Sequence, residues 1–410
     1  MGRFDRRVFL SSLASLGALA GLQGAEAMPL VRAGAAAGGP RRYRSASAAT
    51  MKIVNNTNLY AKDQIYVANV GQNASSVWQH QLPDGTMQDC SPSDNDGPSG
   101  YADYSFQLSA LKNNSIAFPY LSGRVWFSIG APLKFLVQAN SSDQVTGITQ
   151  PSGWAPSDPN YDTLFDWIEY TYFGSANVNT TMVDMFGIPL EIQVASTSGT
   201  QSAGQLVKHG RTKIFSQIAG MKDFSNLIVG TKNMPDLRVI APGHGIENNV
   251  FPSTYLDDAI LAAWQHFTSH NLTVTTGYGT ATGRVQGSSA SPMIFTRNGG
   301  TVATIDLPTT LQTFECSGPL AQGNNEAGAI GDVLAAALNR SLLPKYVNQP
   351  YCEKGKFYQA SATNSYSKTM HANTKDYNCY GFAFDDQCGY SSDIGAADMT
   401  ELTVTLQSFT

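Results

Sequence analysis

The chain carries little charge, since only 14% of its 410 residues are charged and its formal net charge is −5. Proteins that bind nucleic acid usually present a basic surface that neutralises phosphates. The basic cluster Arg41, Arg42 and Arg44 lies in an Ala- and Gly-rich segment that is typical of a solvated spacer. We therefore expect no nucleic-acid partner.

Long apolar runs are also lacking, because no stretch after the N-terminus reaches the ~18 apolar residues that span a bilayer. The N-terminus itself joins Arg6 and Arg7 to a short apolar run that ends at Ala25-Glu26-Ala27. This pattern is typical of a twin-arginine export signal with its cleavage site. We predict a signal peptide over residues 1–27, a linker over 28–50, and a soluble mature protein that is secreted or periplasmic and does not bind the membrane.

Cysteine is scarce, and its five copies lack the CxxC spacing of a zinc ribbon or a redox motif. In an exported protein, five cysteines favour two disulfides and one free thiol, although the connectivity cannot be derived from spacing. Cys379 and Cys388 flank a short segment and form our preferred local pair.

Several catalytic motifs are incomplete. The G-x-S-x-G elbow of lipase-like hydrolases does not occur. His266 and His270 stand four residues apart without the Glu of a metalloprotease helix, which favours two histidines on a helix surface. Residues 94–97 start like a calcium loop without its later Glu, and 277–279 do not complete a dinucleotide fingerprint. We expect no metal and no cofactor.

Aromatic residues are abundant, with 19 Phe, 18 Tyr and 5 Trp, and 38 glycines accompany them. From residue 51 to residue 205 the sequence consists of short alternating runs, such as 64–70, 124–129 and 133–137, which Gly, Pro and Asn interrupt. Strands and turns at this spacing are typical of a β-sandwich or barrel.

Two helices are predicted in the middle of the chain. Residues 255–269 carry an apolar stripe with a helical period, and Ser253 or Thr254 would suit its N-cap. Residues 327–338 carry a second stripe of the same kind.

The alternation of helices and strands defines the predicted domains. Strand-like runs such as 301–307 lie between the two helices, so residues 206–355 are expected to form a mixed α/β domain. Residues 380–409 return to strands. We therefore expect residues 356–410 to complete the first domain, which spans 51–205.

The segment 163–194 holds two carboxylates on neighbouring strand-like runs that a short Gly/Ser/Asn segment joins. Glu169 shares its strand face with aromatic side chains, and such partial desolvation favours the protonated form that a general acid needs. Asp184 lies among hydroxyl and amide groups that would keep it ionised. Two acids facing each other across a gap can cleave a glycosidic bond. The alternative is two structural acids that are hydrogen-bonded at sheet ends.

Four segments give the sequence a resemblance to a known family: FDWIEYTY with NTTMVDMFGIPL, YLDDAILAAWQHF, AAALNRSLL, and NSYSKTMHANTKDYNCYGFAFDD. Over most of the mature chain the sequence resembles glycoside hydrolase family 64, the laminaripentaose-producing β-1,3-glucanases. The strand with Glu169, the loop with Asp184 and the YGFAFDD segment are also similar to thaumatin-like proteins. The resemblance implies a mainly β fold, in which a thaumatin-like barrel or sandwich and a mixed α/β domain enclose a wide groove for a glucan.

The same resemblance implies residue roles. Glu169 would be the general acid and Asp184 the general base of an inverting reaction, which requires carboxyl groups roughly 6.5–9.5 Å apart. Thr171 and Thr181 match positions that bind sugar hydroxyls.

Other groove residues are less defined by the resemblance. Residues 174–178 are small and polar where relatives often place an aromatic, so Trp154 or Trp167 would stack on sugar rings instead. Asp385 and Asp386 form either an acidic groove wall or a turn whose acid is capped by backbone amides. On a strand, adjacent residues point to opposite faces, so at most one of the two would face the groove.

The expected function is that of an exported, monomeric, metal-independent endo-type β-1,3-glucanase that acts on laminarin, curdlan or cell-wall glucan. The alternative is a thaumatin-like glucan-binding or antifungal protein without turnover. The mixed α/β region with AAALNRSLL favours the enzyme, because ordinary thaumatin-like proteins lack it.

Overall fold

The structure is a computed structural model that describes residues 42–43, 49–96 and 100–410. The predicted signal peptide 1–27 and nearly all of the linker 28–50 lie outside the described residues. In the part of the chain that is described, no helix combines the length and the apolar character needed to cross a membrane.

The expectation of a mainly β fold with a helical region is confirmed. The strands are β1 Arg42–Tyr43, β2 Thr50–Asn55, β3 Ile65–Gln72, β4 Trp78–Gln81, β5 Met87–Asp89, β6 Ala102–Asp103, β7 Phe106–Gln107, β8 Ser115–Ala117, β9 Ser122–Ile129, β10 Lys134–Ala139, β11 Val145–Thr149, β12 Leu164–Tyr172, β13 Ala176–Thr180, β14 Met185–Phe186, β15 Leu190–Ser196, β16 Gly199–Ala203, β17 Ile228–Val229, β18 Arg238–Ile240, β19 Leu272–Thr276, β20 Gly279–Val285, β21 Met293–Arg297, β22 Gly300–Ile305, β23 Asn348–Gln349, β24 Asp393–Ala396 and β25 Met399–Leu406. The α-helices are α1 Gly210–Ala219, α2 Pro242–Glu247, α3 Asp257–His266, α4 Thr310–Glu315, α5 Glu326–Asn339 and α6 Ser365–Asn373.

The largest sheet has the strand order β1-β5-β4-β3-β9-β12-β13-β24, and β7 also pairs with β3. Six of the nine residues of strand β12 are aromatic or β-branched, and such residues favour a pleated and buried backbone. Of its residues only Thr171 has intermediate exposure, and the others are buried. The strand that carries Glu169 is therefore covered on both faces.

A second sheet has the order β16-β15-β25-β2-β8. Strand β25 lies between β15 and β2, antiparallel to the former and parallel to the latter. Strand β24 pairs with β13 in the first sheet. The C-terminal strands thus pair with strands from residues 51–205, while the domain boundaries and the thaumatin-like description stay predictions.

The helical region contains a third sheet of order β22-β21-β20-β19-β23, against which α5 packs. The predicted helices are confirmed as α3 and α5, and the stripe of α3 is buried with exposures of at most 2%: Leu256, Ile260, Trp264 and Phe267. The predicted N-cap of α3 is wrong, because the N-cap position is Leu256. The hydroxyl of Thr310 instead accepts the Leu256 N–H at 2.9 Å and donates to Asp257 at 2.7 Å.

The predicted disulfide between Cys379 and Cys388 is wrong. Cys388 is bonded to Cys352, with the two Cα atoms 5.4 Å apart. Cys90, Cys316 and Cys379 are free and buried, so one disulfide forms instead of the two expected. Cys379 has no exposed surface and its thiol interacts with His371, whereas the sulfur of Cys388 lies near the carbonyl oxygen of Tyr351. The two sulfur atoms therefore have different neighbours.

Asp385 belongs to the protein core, and its predicted role in a groove wall is wrong. It has no exposed surface and lies in a turn rather than on a strand. Its carboxylate accepts the Gly381 N–H at 2.9 Å, as expected of a capped turn acid. It also pairs with Arg340 and His371, each at 2.8 Å. Burial opposes charge on all three side chains, yet these partners lower the pKa of Asp385 and raise the pKa of His371 well above its usual value.

His371, Cys379 and Asp385 place atoms of metal-ligand type within 4.8 Å of one another. Both ring nitrogens of His371 are already engaged, by Asp385 and by the Tyr377 carbonyl oxygen. Because both partners accept hydrogen bonds, both nitrogens must donate, which makes the ring an imidazolium. The cluster is therefore a buried ion network that joins α5, α6 and the turn at 381–389.

Replacing Asp385 tests this network. Asp385→Asn should lower the free energy of unfolding by about 3–5 kcal/mol, because it leaves two buried cations without their anion. Asp398→Asn, at an exposed position, should change it by no more than about 0.5 kcal/mol. Urea unfolding followed by Trp fluorescence measures both, and equal effects of the two substitutions would contradict the assignment.

Candidate active site

Glu169 lies on an interior strand of the large sheet, opposite Arg124 on β9 and Asn179 on β13. Residues directly opposite each other on paired strands project to the same face. Arg124, Glu169 and Asn179 therefore form a polar row across three strands. Thr171 continues this face along β12, next to Ser122 and Asn177.

The carboxylate of Glu169 is held in one orientation. Nε and Nη2 of Arg124 donate to its Oε1 at 3.1 and 2.9 Å, and Nε1 of Trp167 approaches the same oxygen at 3.4 Å. The Arg124 guanidinium lies 4.8 Å from the centre of the Trp167 ring. Glu169 is only 7% exposed, so these charge-assisted hydrogen bonds form in nearly dry surroundings.

Asp184 occupies an irregular segment rather than the end of a strand. Strand β13 ends at Thr180, and residues 181–184 precede β14 without strand pairing. Strict strand alternation would put Thr181 and Asp184 on opposite faces, but it does not apply to this irregular segment. The backbone oxygen of Asp184 accepts the Ala241 N–H at 2.8 Å. Its side chain is 24% exposed, so it remains open to water.

A histidine on α2 contacts the Asp184 carboxylate. Nε2 of His244 lies 3.0 Å from Oδ1 of Asp184, and Nδ1 lies 2.8 Å from Oε2 of Glu247. The imidazole is stacked on Trp154, with ring centres 4.4 Å apart and planes inclined by 11°.

These contacts set the charges of the cluster. Burial disfavours the imidazolium, but the hydrogen bonds to Asp184 and Glu247 outweigh it and raise the pKa of His244 to about 9. Burial also opposes ionisation of Asp184, but His244, with help from Arg124, lowers its pKa. Asp184 is thus ionised as the sequence predicts, although the cause is a histidine rather than the neighbouring hydroxyl and amide groups.

Hydrogen bonds of Asp166 connect β12 with the segment that follows Asp184. Its carboxylate accepts the N–H groups of Gly187 at 2.9 Å and Ile188 at 3.2 Å, and the Trp167 N–H at 2.9 Å. It is buried, and burial raises its pKa to about 7 despite these donors. The contacts fix β14 and β12 relative to each other.

Arg238 holds the loop that carries Trp154. Its fully buried guanidinium donates to the carbonyl oxygens of Gly153, Tyr161 and Thr163. A Cβ atom on Gly153 would lie 2.6 Å from Sδ of Met185 and 3.1 Å from the Phe165 ring. Glycine therefore lets the loop pack against β12 and bring Trp154 over His244.

The other predicted site residues differ in exposure and in hydrogen-bond partners. Thr171 is partly exposed, and its hydroxyl lies 2.9 Å from that of Ser122. Thr181 is 6% exposed, and its hydroxyl accepts the Val183 N–H at 3.3 Å. Trp154 is partly exposed, whereas Trp167 is 1% exposed and cannot offer a ring face to a sugar. Stacking by Trp167 is therefore a wrong prediction. Asp386 is exposed on the turn beside the buried Asp385.

Sequence reasoning missed four charged residues of the site: Arg124, His244, Glu247 and Glu315. Glu315 ends α4, and its Cγ lies 2.8 Å from where a Cβ on Gly243 would stand. Burial and the nearby Glu247 raise the pKa of Glu315. The Pro at the start of α2 marks a helix, but no local pattern connects His244 with Asp184.

The sequence profile of the β-1,3-glucanase family, glycoside hydrolase family 64, matches residues 47–406. The chain belongs to this family. It is similar to a glucan endo-1,3-β-glucosidase of Cellulosimicrobium cellulans, at 28% identity over 72% of this chain and 54% of the relative. The chain thus spans about half the length of the curated relatives it matches.

Two solved structures of the family resemble the fold. One is a laminaripentaose-producing β-1,3-glucanase in complex with laminaritetraose, with 30% identity and a TM-score of 0.80 over 88% of this chain and 99% of that chain. The other is a β-1,3-glucanase domain from Clostridium beijerinckii, with 27% identity and a TM-score of 0.76 over 88% and 98%. The family 64 fold is thereby established for this chain.

A double-mutant cycle tests the pairing of Arg124 with Glu169. Arg124→Met should lower the free energy of unfolding by about 3 kcal/mol, because it leaves the buried carboxylate without its cation. Adding Glu169→Gln should restore part of this loss, since the stranded charge is gone. Arg284→Met, at an exposed position on β20, serves as the control. Strictly additive effects in the cycle would show that the pair is not coupled.

Proposed function

We propose that the protein is an exported endo-type β-1,3-glucanase that hydrolyses laminarin, curdlan or cell-wall glucan by an inverting mechanism. The observation that carries the proposal is the contrast between two carboxylates on one site. Glu169 is buried against Arg124, and Asp184 is ionised and partly exposed beside His244. The family membership and the glucanase names of the relatives support the substrate class.

The proposed reaction starts from the protonated form of Glu169 rather than from the ion pair with Arg124, and this proton goes to the glycosidic oxygen as the bond to the anomeric carbon breaks. A water molecule attacks that carbon from the opposite face, and Asp184 takes the proton that the water loses. After the transfer Glu169 is a carboxylate, whose charge Arg124 stabilises through two hydrogen bonds to one oxygen. Arg124 thus places its positive charge where negative charge develops in the transition state.

Substrate binding is proposed for the polar and aromatic groups around the pair. Thr171 lies on the same strand face as Glu169, and Thr181 lies three residues before Asp184. Their hydroxyls suit sugar hydroxyls, and Trp154 offers the exposed part of its ring for stacking. The exposed Asp386 remains a candidate for an acidic groove wall.

The proposal also includes export through a signal peptide at residues 1–27, followed by a linker at 28–50. It further includes a monomeric state and two domains, one formed by residues 51–205 with 356–410 and the other by residues 206–355. They rest on the sequence pattern. The supporting observations are the extracellular type of substrate and the pairing of β24 and β25 with the first region.

Conservative amide variants test catalysis. Glu169→Gln and Asp184→Asn should each lower kcat on laminarin by about 10²–10⁴-fold, because each removes a proton transfer. Asp143→Asn, on an exposed turn, should retain full activity. Chromatography of the released oligosaccharides measures the rates. Absence of product from the wild-type protein that still sediments with curdlan would favour the non-catalytic glucan-binding alternative.

The stereochemistry is a separate test. Inversion of a β-linkage should release the α-anomer first, before mutarotation mixes the two forms. Proton NMR of the earliest laminarin products resolves the two anomeric signals. An initial β-anomer would contradict the water-activating role of Asp184, because retention requires a covalent intermediate.

A further inference from the structure

We infer that His244 is a positioning residue for Asp184, and that Glu247 and Trp154 hold His244 in place for this task. The inference rests on the proposed function, since it assigns a partner to the proposed base. His244 itself moves no proton in the reaction. Its role is to fix one carboxylate oxygen and to keep the carboxylate ionised.

The geometry of the imidazole carries the inference. Its two nitrogens face oxygens of two different carboxylates, at 3.0 Å on Asp184 and 2.8 Å on Glu247. Ionised carboxylates only accept hydrogen bonds, so both nitrogens must donate and the ring must be the imidazolium. Stacking on Trp154 holds the ring plane and places a cation on an aromatic face, a favourable arrangement.

Helix α2 and the residue before it donate two hydrogen bonds to Asp184. The N–H of Ala241, just before the helix, donates to the backbone oxygen of Asp184, and His244 donates to its side chain. The hydrogen bond from His244 uses Oδ1. Oδ2 of the same carboxylate is therefore the atom that would accept the proton of the attacking water. A carboxylate that is held in this way needs little reorganisation in the transition state.

Three titratable groups face His244. They are Asp184 before β14, Glu247 on α2, and Glu315 at the end of α4; Arg124 acts on the cluster through Asp184. The imidazolium is present below its pKa of about 9 and is lost as the pH rises through that value. Neutral His244 has one N–H left for two acceptors, so Asp184 then loses its fixed donor for part of the time.

The pH dependence of kcat on laminarin, measured between pH 5 and pH 10, tests the inference in the full chain. For the wild type kcat should fall on the alkaline side for two reasons: the general acid Glu169 needs its proton, and His244 loses its imidazolium form as the pH rises through about 9. Glu247→Gln should move this fall to lower pH, because His244 then has one anionic partner instead of two. The Glu247 side chain is 49% exposed, so this variant should fold even if a replacement of His244 does not.

His244→Gln supplies the second measurement. An amide N–H still donates to Asp184 but carries no charge, so kcat should fall by about 10- to 100-fold with little change in KM. The part of the alkaline fall that follows His244 should disappear in this variant, whereas the part that follows the general acid Glu169 should remain. His270→Ala, at an exposed position, should match the wild type. A merely structural role of His244 would alter thermal stability without moving the pH profile.

Two results would overturn the inference. One is an unchanged alkaline fall of kcat in Glu247→Gln, and the other is wild-type kcat in His244→Gln. Asp184→Asn separates this failure from that of the proposed function. If Asp184→Asn is inactive while the pH profile of Glu247→Gln does not move, only the positioning role is wrong. If Asp184→Asn is fully active, Asp184 is not the base and both proposals are wrong.

Discussion

The arrangement of the site depends on the buried carboxylate of Asp166. It accepts hydrogen bonds from backbone N–H groups in two separate segments. Gly187 and Ile188 follow Asp184 in the chain, and Trp167 lies on β12, the strand of Glu169. Backbone donors cannot rotate away, so the bonds fix main chain to main chain. This clamp acts together with the contacts of Asp184 to Ala241 and His244, and the three fix the irregular segment 181–184 relative to the sheet.

Charge is distributed around the two acids by different means. Arg124 is on a neighbouring strand of the same sheet, so the sheet register itself brings it to Glu169. His244 comes from a short helix that begins where β18 ends, and β18 reaches Asp184 because it pairs with β14. The partner of Glu169 thus comes from the same large sheet, and the partner of Asp184 comes from a helix that follows a small sheet. Glu169 is buried, whereas the side chain of Asp184 is 24% exposed.

Sequence periodicity correctly predicted the elements whose formation depends on neighbouring residues in the chain. The stripe of Leu256, Ile260 and Trp264 identified α3, since a helix must bury one face, and the aromatic run around Glu169 identified β12. The family resemblance then singled out Glu169 and Asp184 themselves. His244 could not be found in this way, because its link to Asp184 depends on the pairing of β14 with β18, which leaves no periodic signal. Trp167 and Asp385 were misplaced because alternation gives the face of a residue but not what covers that face. The pairing of Cys352 with Cys388 likewise depends on where side chains leave a turn.

The position of β25 has a consequence for how the molecule is made. This strand is central in its sheet, and its parallel neighbour β2 is the first strand that the ribosome releases of that sheet. Strands β2 and β15 must therefore wait, with unpaired edges, until residues 399–406 have been synthesised. Such long-range pairing is slow, and waiting edges invite association with other chains. Loss of β25 would divide its sheet in the middle rather than trim one side, and loss of the adjoining β24 would uncover β13, which carries Asn179 beside Glu169.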